Sequence, residues 1–129
     1  MINFPTLCVD GFYKDPDAMR EYALSLDYNT DDGRYPGKRT KPLHTINPPL
    51  FDKICLKFFS LFYNYEVEGA NWNVKTYFEL NDPLSKDENS YFNKGYIHKD
   101  DSCILAGIVY LTPIINKNTG TSIFRQKEL

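Results

Sequence analysis

The chain has 129 residues, 42% of them apolar and 16% aromatic, with a formal charge of −2, which is enough apolar material for one folded domain and no more. No block of basic residues is present, so electrostatic capture of nucleic acid or of an anionic membrane surface is not expected. No apolar run approaches membrane-spanning length, the N-terminus does not read as a signal peptide, and three widely spaced cysteines without a CxxC pair point away from a disulfide framework and towards a reducing cytoplasm.

Residues 2–12 alternate loosely between apolar and polar side chains and predict an entry strand closing at Asp10-Gly11. Asp15-Pro16 is a helix start, with Asp15 able to accept backbone N–H bonds and Pro16 in the first turn, where its missing donor costs nothing. Met19, Tyr22, Ala23 and Leu26 then fall at i, i+3, i+4 and i+7, one apolar stripe on a helix of about three turns.

Residues 27–49 carry no period, because Asn29, Gly33, Pro36, Gly37, Pro42, Pro48 and Pro49 interrupt every candidate element. Within this stretch Tyr35-Pro36-Gly37-Lys38-Arg39-Thr40 reads either as a lid in which Arg39 forks a carboxylate or as an exposed turn with incidental charge. His44 is the only histidine besides His98; a loop hydrogen-bonding role fits it better than a metal-ligand role. Residues 50–63 place Phe51, Ile54, Cys55, Phe58, Leu61 and Phe62 at helical spacing, a stripe that reads as core.

After a turn over residues 66–71, residues 72–80 alternate as a strand. Trp72, Val74, Phe78 and Leu80 share one face; Asn73, Lys75, Tyr77 and Glu79 share the other, a candidate pocket lining. Residues 81–95 form a polar loop, in which Tyr91 and Phe92 are the large rings, leading to Tyr96-Ile97-His98-Lys99-Asp100-Asp101. His98 and Asp100 are two apart, so in extended backbone their side chains leave one face and can hold one ion together. Non-haem Fe(II) oxygenases use two imidazoles and one carboxylate in this way, leaving positions open for cosubstrate and oxygen. Next come the β-rich run Ile104-Leu105-Ala106-Gly107-Ile108-Val109-Tyr110-Leu111, expected to be buried on both faces, a polar loop, and a short strand Thr121-Ser122-Ile123-Phe124.

The order His98-Lys99-Asp100, Ile108-Val109-Tyr110-Leu111 and Gly120-Thr121-Ser122-Ile123-Phe124 resembles the Fe(II)/2-oxoglutarate-dependent dioxygenases, specifically the prolyl-hydroxylase-like branch. The likeness runs from about Asn73 to Phe124, and the upstream part is similar to small phage-type oxygenases with a DGFYKDPDAMREYALSL opening and a YPGKRT loop. It implies an α+β fold, a double-stranded β-helix with two N-terminal helices packed on the sheet. It implies Fe(II) on His98 and Asp100, 2-oxoglutarate as cosubstrate with Tyr77 and Tyr110 contacting it, and Ser122 as a lesser pocket position. The reaction implied is oxidative decarboxylation of 2-oxoglutarate to succinate and CO2 coupled to hydroxylation of a small-molecule or peptide substrate.

The chain departs from the family pattern after the Gly-rich turn, where the family places its second metal histidine and the cation that pairs with 2-oxoglutarate. No histidine follows His98, and Arg125 comes too early in the strand order to be that cation. The expectation is therefore one oxygenase-like domain over residues 1–129 lacking its C-terminal strands, a partial jelly roll holding two metal ligands of three. Its unpaired strand edges would favour a separate C-terminal segment or self-association. An inactive structural or binding remnant of the same fold is the alternative, and an unrelated small α+β interaction domain is the third reading.

Overall fold

A computed structural model describes residues 6–29, 37–64, 71–81, 98, 100, 102–114 and 120–123. The chain divides into two compact units, Met1–Leu24 with Cys103–Leu129, and Ser25–Ser102. The elements in order are α1 (Pro16–Leu24), β1 (Lys38–Arg39), α2 (Leu43–Ile46), α3 (Pro48–Ser60) and β2 (Glu79–Leu80).

In the first unit, α1 starts as its sequence dictates. Asp15 Oδ1 accepts from the Ala18 N–H at 2.9 Å and the Asp15 carbonyl from the Met19 N–H at 3.2 Å, while Pro16 holds the first helical position. Ala23 is buried, and Met19 and Tyr22 are half-buried on the same stripe. The helix ends at Leu24, two residues short of the expected stripe, and Leu26 lies beyond it. Before α1, Gly11 turns at φ +64° and seats the buried Phe12 edge-on against Tyr13.

Of the expected entry strand, residues 6–9 join no ladder among the described residues. Residues 104–111 likewise join none, and Ile104, Ile108 and Tyr110 are exposed where a run buried on both faces was expected. Apolarity gives a strand its preference for burial, but its place in a sheet needs partners on both edges and a covering layer, which the run does not itself encode.

In the second unit, two short elements and the start of a third occupy the stretch expected to be irregular. α2 runs into α3 through Asn47, whose N–H donates to the Leu43 carbonyl at 2.8 Å and whose Oδ1 accepts from the Leu50 N–H at 3.2 Å. Pro48 and Pro49 open α3, because the first two positions of a helix have no use for an N–H. The expected stripe is present: Cys55 is buried, Phe51, Ile54, Phe58, Leu61 and Phe62 are half-buried, and Asp52, Lys53, Lys57 and Ser60 face out. At its end, Leu61 and Phe62 donate three residues back, and Phe59 stacks on Trp72 at 5.1 Å.

β1 and β2 pair antiparallel, Lys38 opposite Leu80 and Arg39 opposite Glu79. The contact continues past the ladder, with the Thr40 N–H donating to the Phe78 carbonyl at 3.0 Å and the Leu43 N–H to the Thr76 carbonyl at 2.9 Å. The segment expected as a strand over residues 72–80 is thus clamped to residues 38–43, although only Glu79–Leu80 of it is in a ladder among the described residues. Val74, Thr76 and Phe78 turn inward and Lys75, Tyr77 and Glu79 outward, while Trp72 and Leu80, expected on the inward face, are exposed at the two ends, beyond the buried middle of the segment. Among the described residues of the unit, Phe78, Leu43 and Cys55 are the buried apolar side chains.

Candidate functional site

His98 and Asp100 both lie in the second unit, and their side chains converge. His98 Nε2 stands 3.4 Å from Asp100 Oδ1, with the two side chains 49% and 56% exposed. Two donors each about 2.1 Å from one ion lie about 3.0 Å apart at an octahedral right angle and about 3.4 Å apart at the tetrahedral angle. A neutral nitrogen and an anionic oxygen at this separation fit a divalent ion with little movement. The same approach is an ion pair when the imidazole carries its second proton. Ile97, Lys99 and Asp101 lie outside the described residues.

Among the described residues no three His, Cys, Asp or Glu side chains are placed to hold one metal. His44, expected in a loop, sits on α2 with its ring edge-on to Phe51 of α3, 5.6 Å between centroids.

Tyr77 and Arg39 meet on the outward face of the β1–β2 ladder. The Arg39 guanidinium lies 5.6 Å from the Tyr77 ring centroid, and Arg39 Nε donates to Glu79 Oε2 at 2.8 Å. The fork for a carboxylate read in the sequence is therefore holding one, from the chain itself. Glu79 entered the sequence reading only as a member of a polar face; opposite charge and outward alternation were visible, the register that joins them was not. Beneath this face Thr40 is fully buried, its Oγ1 accepting from the Phe78 N–H at 3.2 Å and donating to the Lys41 carbonyl at 2.8 Å. That bond closes a contact that two ladder residues alone would hold loosely.

Tyr110 belongs to the other unit, where its exposed ring has its hydroxyl 2.5 Å from Thr121 Oγ1. Ser122 is exposed beside Thr121. Tyr91 and Phe92 of the loop before His98, and Phe124 and Arg125 after the Gly-rich turn, lie outside the described residues. Cys8, Cys55 and Cys103 are thiols, with Cys55 buried and the other two exposed. Among the described residues no helix is long and apolar enough to cross a membrane.

No family model matches the chain, and neither the curated proteins nor the solved structures contain a significant match to it.

Proposed function

We propose that this chain is an Fe(II)/2-oxoglutarate-dependent oxygenase-like protein of the cytoplasm, acting on a small molecule or a peptide. The observation that carries the reading is the 3.4 Å approach of His98 Nε2 to Asp100 Oδ1, two donors of the chemistry that mononuclear iron takes, two positions apart in the sequence and both exposed. Iron(II) held there, with 2-oxoglutarate as cosubstrate, supplies oxidative decarboxylation coupled to hydroxylation of an unactivated C–H bond.

The chain's own part is binding and orientation. His98 gives a neutral lone pair and Asp100 the charge that offsets a divalent cation. Both side chains are about half exposed, so an ion held by them would be reachable from solvent. Tyr77 and Tyr110 carry hydroxyls suited to a carboxylate oxygen, each in its own unit. The third protein ligand and the cosubstrate's cation are left to groups other than these.

Metal titration tests the reading. One Fe(II), or Mn(II) as a stand-in, should bind per chain, and His98→Ala and Asp100→Asn should each weaken binding at least about tenfold. Unchanged affinity in both variants would remove the proposal. Iron binding together with oxygen-dependent release of succinate from 2-oxoglutarate separates the enzyme from the alternative, an inactive structural or binding remnant of the same fold that folds with no iron and no turnover.

A further inference from the structure

Residues 104–111 join no ladder among the described residues, yet their exposure alternates as it does along a strand. Ile104, Ala106, Ile108 and Tyr110 are exposed, the three large ones at 75%, 64% and 54%, while Leu105 and Leu111 are half-buried. Tyr110 is tethered through its hydroxyl to Thr121 Oγ1, which holds its ring on the open side. Gly107 is exposed as well, and a glycine has only main-chain atoms to expose, so the backbone at the middle of the run is open to close approach. Open N–H and C=O groups along an apolar, β-branched segment are what a second strand satisfies.

The kind of strand follows from charge and bulk. No charged residue occurs between Asp101 and Lys117, so an acidic or basic partner finds nothing to recognise there, whereas two identical segments meet without like charges. We propose that residues 104–110 are a self-pairing edge, on which two copies of this chain join antiparallel about Gly107. In that register Ile104 stands opposite Tyr110 of the other copy, Ala106 stands opposite Ile108, and the two Gly107 backbones meet at the axis. A β-branched side chain faces an aromatic one and a small side chain faces a large one, along the whole exposed side. A slip of one residue would set the exposed side of one copy against the half-buried side of the other, so the alternation fixes the register. The two-fold relation closes on two copies. All of these residues belong to the first unit, and the pairing does not depend on the metal reading of His98 and Asp100.

Sedimentation equilibrium of the intact chain should show one chain passing to two, with half pairing on the order of 100 μM. Over the same concentrations, amide hydrogen exchange should slow at every second residue of 104–110, the mark of an antiparallel ladder. Ile108→Lys puts a charge opposite Ala106 in both halves of the pair and should weaken association at least about tenfold. Ile114→Lys, at an apolar position 83% exposed but beyond the register, should leave it within about twofold. A chain still single at about 500 μM would leave the edge to a different partner and overturn the proposal. So would assembly past two copies, pairing without the alternate amide protection, or equal losses in the two lysine variants. Mass and exchange are read in the unaltered chain and need no variant to fold. His98→Ala should pair as the unaltered chain does, so a failure of metal binding and a failure of pairing are told apart.

Discussion

Arg39 and Glu79, forty positions apart in the chain, stand opposite one another in the β1–β2 register and join Nε to Oε2 at 2.8 Å. The bond ties the segment after Gly37 to β2, two residues after Tyr77, so the outward face of that ladder is set by a long-range contact. A partly solvated pair of this kind contributes about 0.5–1 kcal/mol. A double-mutant cycle of Arg39→Gln and Glu79→Gln, followed by urea unfolding, should return a coupling of that size at low salt and a smaller one in 1 M NaCl. A coupling of zero at low salt would mean that the two side chains meet without holding the strands.

Thr40 stabilises the same contact from below. Its hydroxyl is the acceptor of the Phe78 N–H and lies at 0% exposure, where a lost partner is not replaced by water. Thr40→Val keeps the shape and removes the acceptor, and should cost about 1–3 kcal/mol. Thr40→Ser keeps the hydroxyl and removes one methyl group, for about 1 kcal/mol. Chemical denaturation of the two variants distinguishes them; a Thr40→Val loss no larger than that of Thr40→Ser would mean that the hydroxyl's bond to Phe78 contributes no more than the packing of one methyl group.

The parts of this architecture that were legible in the sequence are those whose cause is local. Asp15 followed by Pro16 is a capping signal complete within four residues, and α1 begins there. The stripe from Phe51 to Phe62 is a period, and α3 bears it out. Alternation over residues 72–80 gave the inward side of Phe78 and the outward side of Tyr77. The two-residue spacing of His98 and Asp100 puts them on one face of an extended chain, and His98 Nε2 lies 3.4 Å from Asp100 Oδ1.

What could not be read depends on partners distant in sequence. A two-residue strand and a four-residue helix are too short to show a period, so β1 and α2 were hidden among prolines and glycines. Pro48 and Pro49 look like breakers until Asn47 is seen capping them from the preceding position. The exposure of Ile104 and Ile108 has the same origin, since β-propensity names a residue's preference and not the strand that will satisfy it.

Gly37 is required by two independent features. It sits at φ +127°, a region L side chains rarely adopt, and a β-carbon there would run into the Leu80 carbonyl oxygen and lie 2.8 Å from Asn81 Cα. Gly37→Ala should cost about 2 kcal/mol or more and loosen the ladder. Gly11, at φ +64° with open space around it, meets only the backbone penalty, and Gly11→Ala should cost about 1 kcal/mol. Thermal unfolding of the two variants should show the larger drop for position 37. Similar drops would show that the approach to Leu80 relaxes without penalty.

Cys55 offers a test by pH. It is 2% exposed on the inner side of α3, and burial first, then the nearby negative charge of Asp52, pushes its thiol above the ordinary cysteine value. The folded chain therefore keeps the Cys55 proton at a pH where the unfolded chain has lost it. The corresponding stability is fully present below the unfolded value, about pH 8.5, and falls as pH rises from there through the raised folded value. Tyr13 and Tyr28 are also pushed up by burial, and their contribution begins near pH 10, so the cysteine effect is best read between about pH 8 and 9.5. Urea unfolding over that range should show stability declining in the natural chain and a flatter profile in Cys55→Ala. At pH 8, Cys8 and Cys103 should react with iodoacetamide well before Cys55, whose modification requires the helix to open. Equal rates at all three thiols would place Cys55 outside the core.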